Sequence, residues 1–568
     1  MTTRQTTVAK RVKPLGRPAL LATAIAAAVT AGQANAFMVT NNSDWRVLWD
    51  TTAKYSTMYR LQDQHDRLIE DTQGDWPNTD DGNRNFDKGL VSNRLDLLTE
   101  MDVIYKRNYG LRLSAAAWYD SVYMQKKNDN QSPSTANPMS VEHNEFTQGT
   151  KDLHGQDVEM LDYFLFGRTR LGKSMLTGRI GSHTMVWGES LFFGGNGIAN
   201  GQAPIDVAKA LAVPSVQFKE LMRPVEQVSG QLQLTRDLSI GAYYQLQWKE
   251  TRLPGSGSYF SGVDFLSEGA EQMLLAPDGS AYFKRAVDVK GADSGQFGLQ
   301  LRFRGDDSDY GFYAIQYNEK APSINLLPYA DVVHADDGRV EVGEYRWLYH
   351  EGVKAFGVSA TRTFGNFNFA AEASIRRNTP LNSDAVLDLS GTGGNTESTA
   401  LYALGNTSHA QVNWLASLGP SFLSREADFL GEIAYNHVME VTHDRGVNSN
   451  THEVGVVNPN GDRDAWNMRL VFSPKYRQVL AGLDLSIPMV LGYGLHGNSL
   501  AVGSFMGEKT GDLSLGVEGT YLDIWRFGFN YTNFFGPVDN AIDENGSGSY
   551  KQANADRDNI SFNIRRTF

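Results

Sequence analysis

Apolar and polar residues alternate with a period of two along most of this chain. Between Gln227 and Trp248, the apolar positions Val228, Leu232, Leu234, Leu238, Ile240, Ala242, Tyr244 and Leu246 interleave with Gln, Ser and Gly, and Thr235-Arg236-Asp237 interrupts the run. That pattern predicts two antiparallel strands, each with one apolar and one polar face, joined by a tight turn. The same alternation recurs over 95–103, 111–119, 297–303, 367–375, 466–472, 513–521 and 525–531. Helical periodicity is scarce.

The connections alternate as well. Short turns are predicted near 105–110, 172–174, 235–237, 305–309, 364–366, 419–424, 473–478 and 522–524. Long polar stretches rich in Gly, Asn, Asp and Ser fall near 62–88, 124–160, 188–225, 252–294, 319–353, 378–408, 439–464, 488–510 and 535–556. The expected architecture is all-β: a closed antiparallel transmembrane barrel of about 18 strands, with 16 as the alternative, carrying short periplasmic turns and long extracellular loops. A solenoid would repeat at a fixed period, and none is present. Sandwich strands are shorter and their loops less polarised.

Composition refines this picture without changing it. The 568 residues include 56 Gly, 18 Pro and no Cys, so disulfides, thiolate metal sites and cysteine nucleophiles are excluded. Arg4, Lys10, Arg11, Lys13 and Arg17 precede a short apolar stretch and the small-residue motif Ala34-Asn35-Ala36. This layout predicts a signal peptide over 1–36, cleaved between Ala36 and Phe37, with the barrel over 37–568. Its removal takes five of the 52 Lys and Arg and none of the 65 Asp and Glu, leaving a net charge of −18 that argues against nucleic acid as a partner.

With the apolar faces toward lipid, the polar faces line the lumen. The candidates there are Arg94, Asp96, Glu100, Arg168, Arg170, Arg302, Arg304, Glu372, Arg469, Glu518 and Arg526. Charges of both signs either screen solutes or stiffen the wall through ion pairs. Arg168, Arg170, Arg302, Arg304 and Arg526 fall beside short turns and are expected to gather at the periplasmic mouth. The connection 188–225 carries Leu191, Phe192 and Phe193, more apolar material than an exposed loop tolerates. It is expected to fold inward as a constriction or hatch, with Trp187, Glu189, Phe192, Phe193, Asp206, Lys219 and Glu220 as its candidate residues. No nucleophile elbow, zinc-protease motif or phosphate loop is present, so no catalytic residue or cofactor is assigned. His409 and the scattered histidines are expected to be solvated. The acidic stretches 75–87 and 543–549 do not complete a twelve-residue calcium loop, and no metal ligand is assigned.

Several long segments resemble a known family: GNRNFDKGLVSNRLDLLTEMDV from Gly82, WGES from Trp187, PIDVAKALAVPSVQFKELMRPV from Pro204, YYQLQWKETRLPGSGSYFSGVDFL from Tyr243 and PKYRQVLAGLDLSIPMVLGYGLHGNS from Pro474. The family consists of large, porin-like outer-membrane proteins of Gram-negative bacteria, grouped as a domain of unknown function. The resemblance covers essentially the whole chain after residue 36. It implies passage of a hydrophobic small molecule or lipid between periplasm and outer membrane, with a periplasmic carrier and an RND-type exporter as partners. The runner-up functions are a general or anion-preferring diffusion porin and a non-conducting docking barrel of an export machine. The ending NISFNIRRTF reads as the closing strand, and Phe562, Ile564 and Phe568 resemble the signal read by barrel-assembly machinery.

Overall fold

A computed structural model describes residues 37–41, 44–69, 78–125, 139–276 and 278–568. The signal segment expected over 1–36 lies outside them, as does part of the acidic stretch beginning at Asp75.

The wall is one antiparallel sheet that closes on itself. Its strands in chain order are β1 (Trp45–Arg60), β2 (Gly89–Tyr105), β3 (Tyr109–Asp120), β4 (Gln156–Leu171), β5 (Ser174–His183) and β6 (Val225–Gln233). They continue as β7 (Leu238–Gln245), β8 (Phe297–Arg304), β9 (Ser308–Tyr317), β10 (Val353–Phe364), β11 (Phe367–Pro380) and β12 (Leu404–Leu418). The circuit ends with β13 (Glu426–His443), β14 (Asp464–Leu480), β15 (Leu483–Ser486, resumed over Met489–His496), β16 (Gly511–Tyr521), β17 (Trp525–Phe535) and β18 (Asn559–Thr567). Each strand bonds to the next, and β18 bonds back to β1 from Thr52↔Thr567 to Arg60↔Asn559. Thr51 and Phe568 exchange both backbone hydrogen bonds at 2.8 and 3.1 Å. Below that point a further strand, Phe37–Asn41, pairs with Trp49–Arg46 and extends the seam.

Two boundaries differ from the sequence expectation. The turn expected at 473–478 is strand, and β14 turns only at Ala481-Gly482, where Gly482 adopts φ +75°. The loop expected from 488 begins at 497, because Met489–His496 belongs to the wall. Two prolines, Pro474 and Pro488, fall in these stretches. Pro474 sits in register opposite Ala427. Pro488 falls where β15 is interrupted, and its carbonyl still accepts the Gly516 N–H at 2.9 Å. A proline at such an irregularity forfeits only its own N–H.

The polar faces turn inward and the apolar faces outward. Tyr55, Leu165, Ile180, Leu299, Phe356, Ile433, Val517 and Phe529 are all exposed on the outer surface, on strands all round the wall. Tyr109, Tyr310 and Tyr521 mark its short-turn end, and Tyr59, Tyr244 and Trp466 its long-loop end. An apolar belt between two aromatic girdles is the surface a barrel presents to a bilayer.

The long connections are more ordered than their composition suggested. Segments Gln272–Leu274, Ala281–Arg285, Ser323–His334, Val340–Leu348, Val386–Leu387 and Val447–Asn448 form a second, six-stranded sheet over the long-loop end. It encloses apolar clusters, one built from Trp248, Phe265, Met273, Phe283, Tyr345 and Trp347 and another from Leu381, Tyr402, Leu404, Val456, Leu500 and Phe505. Four of the strands have only two to five residues, too few for alternation to reveal them, and the longer pair Ser323–His334 and Val340–Leu348 lies within a stretch whose composition reads as loop. The cap, more than the barrel interior, is where apolar side chains pack together.

The belt generates a test. Ile433 lies mid-strand on the lipid face. Ile433→Arg is expected to destabilise the barrel in vesicles by about 2–4 kcal/mol, and the same change at Tyr521, beside a turn, by about 0–1 kcal/mol, as read from denaturant unfolding.

Candidate functional site: the barrel lumen

The connection from 184 to 224, which leaves β5 and returns to β6, crosses the lumen. Its first half reaches β11, β12 and β13 on the far wall. Glu372 of β11 accepts the N–H of Glu189 on one oxygen (2.6 Å) and that of Ile198 on the other (2.9 Å). Glu432 of β13 accepts the consecutive N–H groups of Leu191, Phe192 and Phe193 on a single oxygen. The approach to Glu372 is close enough that a β-carbon at Gly188, which adopts φ +93°, or at Gly197 would strike its carboxylate. Gly188 also needs glycine for its left-handed backbone, and a side chain at position 197 would push the Glu372 carboxylate aside.

Neutral and cationic groups complete the attachment. Arg376 donates to the carbonyls of Gly195 and Gly197 at 3.0 and 2.8 Å. Asn196 donates to Gln411 Oε1 at 3.1 Å, and its own Oδ1 lies 3.0 Å from His409 Nδ1. Asn413 donates to the Glu189 carbonyl. His409, expected to be solvated, is 3% exposed, because the inward segment covers it. Phe193 enters the cap cluster with its ring centroid 5.5 Å from that of Phe505. Trp187 packs on Tyr243 of β7 and Tyr313 of β9, at 5.0 and 6.2 Å between centroids. Trp187, Phe193 and Ile198 are thus hidden by packing, whereas Val186 and Phe218 stay exposed.

The second half returns along the near wall. Asp206 caps the helix Val207–Ala212 by accepting the Lys209 N–H at 2.8 Å. It also pairs with Arg252 at 2.8 Å, and Arg252 in turn pairs with Glu159 of β4 at 3.0 Å. The Lys209 ammonium lies 5.2 Å above the Trp118 ring of β3. Lys219 pairs with Glu100 of β2, and Ser215 accepts from Asn563 of β18 at 3.1 Å. Glu220 accepts the N–H of Gln217 at 3.3 Å and closes the turn Phe218–Leu221. One connection is therefore anchored to strands on opposite sides of the barrel.

The remaining candidates divide into wall pairs and mouth residues. Arg94 and Asp96 form a buried ion pair at 2.9 Å, and Arg112 bridges Glu100 and Asp102. Arg469 pairs with Asp512 at 2.8 Å. Arg302 and Arg304 both face Asp309, at 2.8 and 3.5 Å. Arg168 donates to Asn108 at the short-turn end, and Arg170 is exposed beside it. Glu518 and Arg526 line a cavity of about 270 Å³ at the same end, together with Lys475, Arg477, Asp484 and Arg565. A second cavity, of about 440 Å³, lies at the long-loop end among Arg223, Arg252, Arg285, Lys290, Trp347 and Tyr349, with acidic neighbours including Glu250 and Asp288. Alternation alone placed Glu372 and Glu432 on the inner face. It gave no sign of the backbone groups they bind, which lie 174 to 241 positions away in the chain.

A family model described as "Protein of unknown function (DUF1302)" matches residues 17–568. No curated protein matches the chain. Among solved structures it is similar to OccAB4 of Acinetobacter baumannii, with 10% identity, a TM-score of 0.40, and coverage of 93% of this chain and 99% of that one. For OccAB2 of the same organism the values are 11%, 0.43, 94% and 99%. For OpdK of Pseudomonas aeruginosa, solved with vanillate, they are 9%, 0.39, 92% and 98%. With a barrel whose wall runs from β1 to β18 and a family match over almost its full length, the chain belongs to the DUF1302 family of proteins.

Proposed function

We propose that the protein is an outer-membrane channel of a Gram-negative bacterium. In this reading it passes small polar molecules, with a preference for anions, through a lumen that the 184–224 segment holds closed. The observation that carries the reading is the attachment of that segment: five backbone N–H groups bonded to two wall carboxylates, Glu372 and Glu432. A segment held by hydrogen bonds to the wall can leave it as a unit, which a covalent constriction cannot. The apolar belt supplies the argument for a bilayer, and the polar lumen the argument for a hydrated path.

The cargo preference rests on the cavity at the short-turn mouth. At the short-turn mouth four cations, Lys475, Arg477, Arg526 and Arg565, face two acids, Asp484 and Glu518. This local excess contrasts with a chain whose formal net charge is −13. A hydrophobic molecule moving along the lumen would strip water from these charges without replacing it, at a cost of several kcal/mol per ion. The hydrophobic or lipid cargo implied by the family resemblance is therefore the second reading. It is favoured by an apolar hollow of about 570 Å³ on the wall, lined by Phe312, Phe356, Val358 and Ile375 over the small residues Gly357, Ala373 and Ala410.

Planar-bilayer recording tests both parts. The wild type is expected to conduct weakly. The double variant Glu372→Ala, Glu432→Ala leaves buried N–H groups unpaired at about 1–3 kcal/mol each, and is expected to raise conductance several-fold. An unchanged conductance would mean that the segment does not close the path. Arg526→Glu with Arg565→Glu, made in that background, is expected to reverse the preference for anions, read from the reversal potential in a salt gradient. Delivery of a hydrophobic dye into vesicles without any conductance would favour the second reading, and neither activity would leave a docking barrel.

A further inference from the structure

Three cations stand side by side on the inner face where the barrel closes. Arg526 of β17 is in register with Arg565 of β18, and Arg565 with Lys54 of β1. Residues so paired lie directly opposite one another, where like charges repel. Arg565 Nη1 and Lys54 Nζ are enclosed by protein with no hydrogen-bond acceptor, and Lys54 is 3% exposed. Neither arginine forms an ion pair with a carboxylate among the described residues. Beyond Lys54 the register reaches Asp96 of β2, which Arg94 already holds at 2.9 Å.

The row opens into the short-turn cavity of about 270 Å³, which Arg526 and Arg565 line together with Ser486, Thr520 and Asn563. The other two cations of that cavity are already matched. Lys475 pairs with Asp428 at 2.6 Å, and Arg477 with Glu426 and Asp484 at 3.3 and 3.0 Å. Ser215 of the 184–224 segment also lines the cavity and accepts from Asn563 at 3.1 Å, so the cavity faces the lumen and not the lipid. The acids whose charge reaches the row are Glu518 of β16, Glu220 of the crossing segment and Asp96. Glu220 already accepts the Gln217 N–H, and Glu518 pairs with neither arginine.

We propose that Arg526 and Arg565, with Lys54 behind them, form a binding subsite for the phosphate group of a small, soluble phosphate monoester. The inference rests on the anion-preferring channel reading and names the class of anion. A phosphate monoester carries roughly two negative charges near neutral pH and offers three acceptor oxygens. Guanidinium groups grip such a group through paired N–H donors. A monocarboxylate brings one charge, and would leave one arginine and Lys54 uncompensated. The hydroxyls of Ser486 and Thr520 stand on the same cavity wall for the oxygens of the ester. At about 270 Å³ the cavity falls just below the roughly 300–1,000 Å³ of pockets for drug-sized ligands, which suits a small ester. No spacing in the sequence reveals the row, because Lys54 meets Arg565 only when the last strand closes on the first.

The test is a sodium phosphate titration of the full-length, detergent-solubilised protein by isothermal calorimetry, in a neutral buffer without other multivalent anions. One phosphate per chain is expected, with a dissociation constant of about 1 mM or tighter. Glycerol phosphate is expected to match it, and acetate to bind about tenfold more weakly or worse. Arg526→Gln and Arg565→Gln are each expected to weaken phosphate binding about tenfold or more, and Lys54→Met to weaken it several-fold. Lys173→Gln, in an exposed turn at the same end, is expected to leave it unchanged. Absence of binding to the wild type up to about 1 mM overturns the proposal. Wild-type affinity in Arg526→Gln or Arg565→Gln overturns it equally, and so does acetate binding as tightly as phosphate. Binding of phosphatidic acid in mixed micelles without binding of glycerol phosphate would put the phosphate on a lipid and overturn the soluble ester. Should Arg565→Gln not assemble, Arg526→Gln at the exposed mouth still decides. Phosphate binding without conductance in the bilayer recordings leaves the subsite standing and removes the channel, whereas conductance without phosphate binding removes the subsite and leaves the channel.

Discussion

Every backbone N–H and C=O that meets hydrocarbon has to be bonded within the wall, because no water is present to take its place. The rest of this structure follows from that constraint. It forces the sheet to close, so that β18 returns to β1 and no edge is left. It makes the strands pair with their neighbours in sequence and fixes the alternation of outward apolar and inward polar residues. It also keeps irregular backbone away from lipid, at the two ends or inside the lumen. The interruption of β15 at Pro488 shows how little slack remains, for even there the proline carbonyl bonds to the neighbouring strand.

Closure creates a second problem, a polar interior too wide for side chains alone to fill. The chain fills it with its own backbone. Glu372 and Glu432, which would otherwise face water, accept N–H groups from a segment with no regular structure to satisfy them. The glycines at 188 and 197 let that backbone come within contact of the carboxylate. Wall and segment therefore satisfy one another: removing either leaves buried polar groups on the other without partners. Phe193 of the segment enters a cluster of the cap, and Trp187 and Ile198 pack against the wall residues Tyr243, Tyr313 and Tyr317.

Much of this was legible in the chain itself. Alternation sorted residues such as Arg94, Asp96, Arg469 and Glu372 to the inner face of their strands, because strand geometry is local and its side-chain period is two. The excess of apolar residues around Phe192 marked the 188–225 connection as unusual. What alternation could not supply was partnership. His409 looked like a lone histidine, yet it is covered by Asn196, 213 positions earlier in the chain. Arg302 and Arg304, expected at the periplasmic mouth, stand beside a short turn and face Asp309, and the mouth cavity is lined by Lys475, Arg477 and Arg565 beside Arg526. The cap sheet went unread because it joins the hairpin Ser323–His334 and Val340–Leu348 to two- and three-residue strands from other connections, which acquire meaning only beside one another.

The sequence by itself determined the class of fold, the two faces of the wall, the alternation of short and long connections and the belt that meets lipid. Each of these is set by period, length and turn chemistry within a few neighbouring residues. Only the tertiary structure decided which way the 184–224 segment turns, which carboxylates hold it and that Lys54 comes to stand beside Arg565. Those arrangements depend on groups brought together from distant parts of the chain once the barrel has closed, and no local pattern encodes which of them will meet.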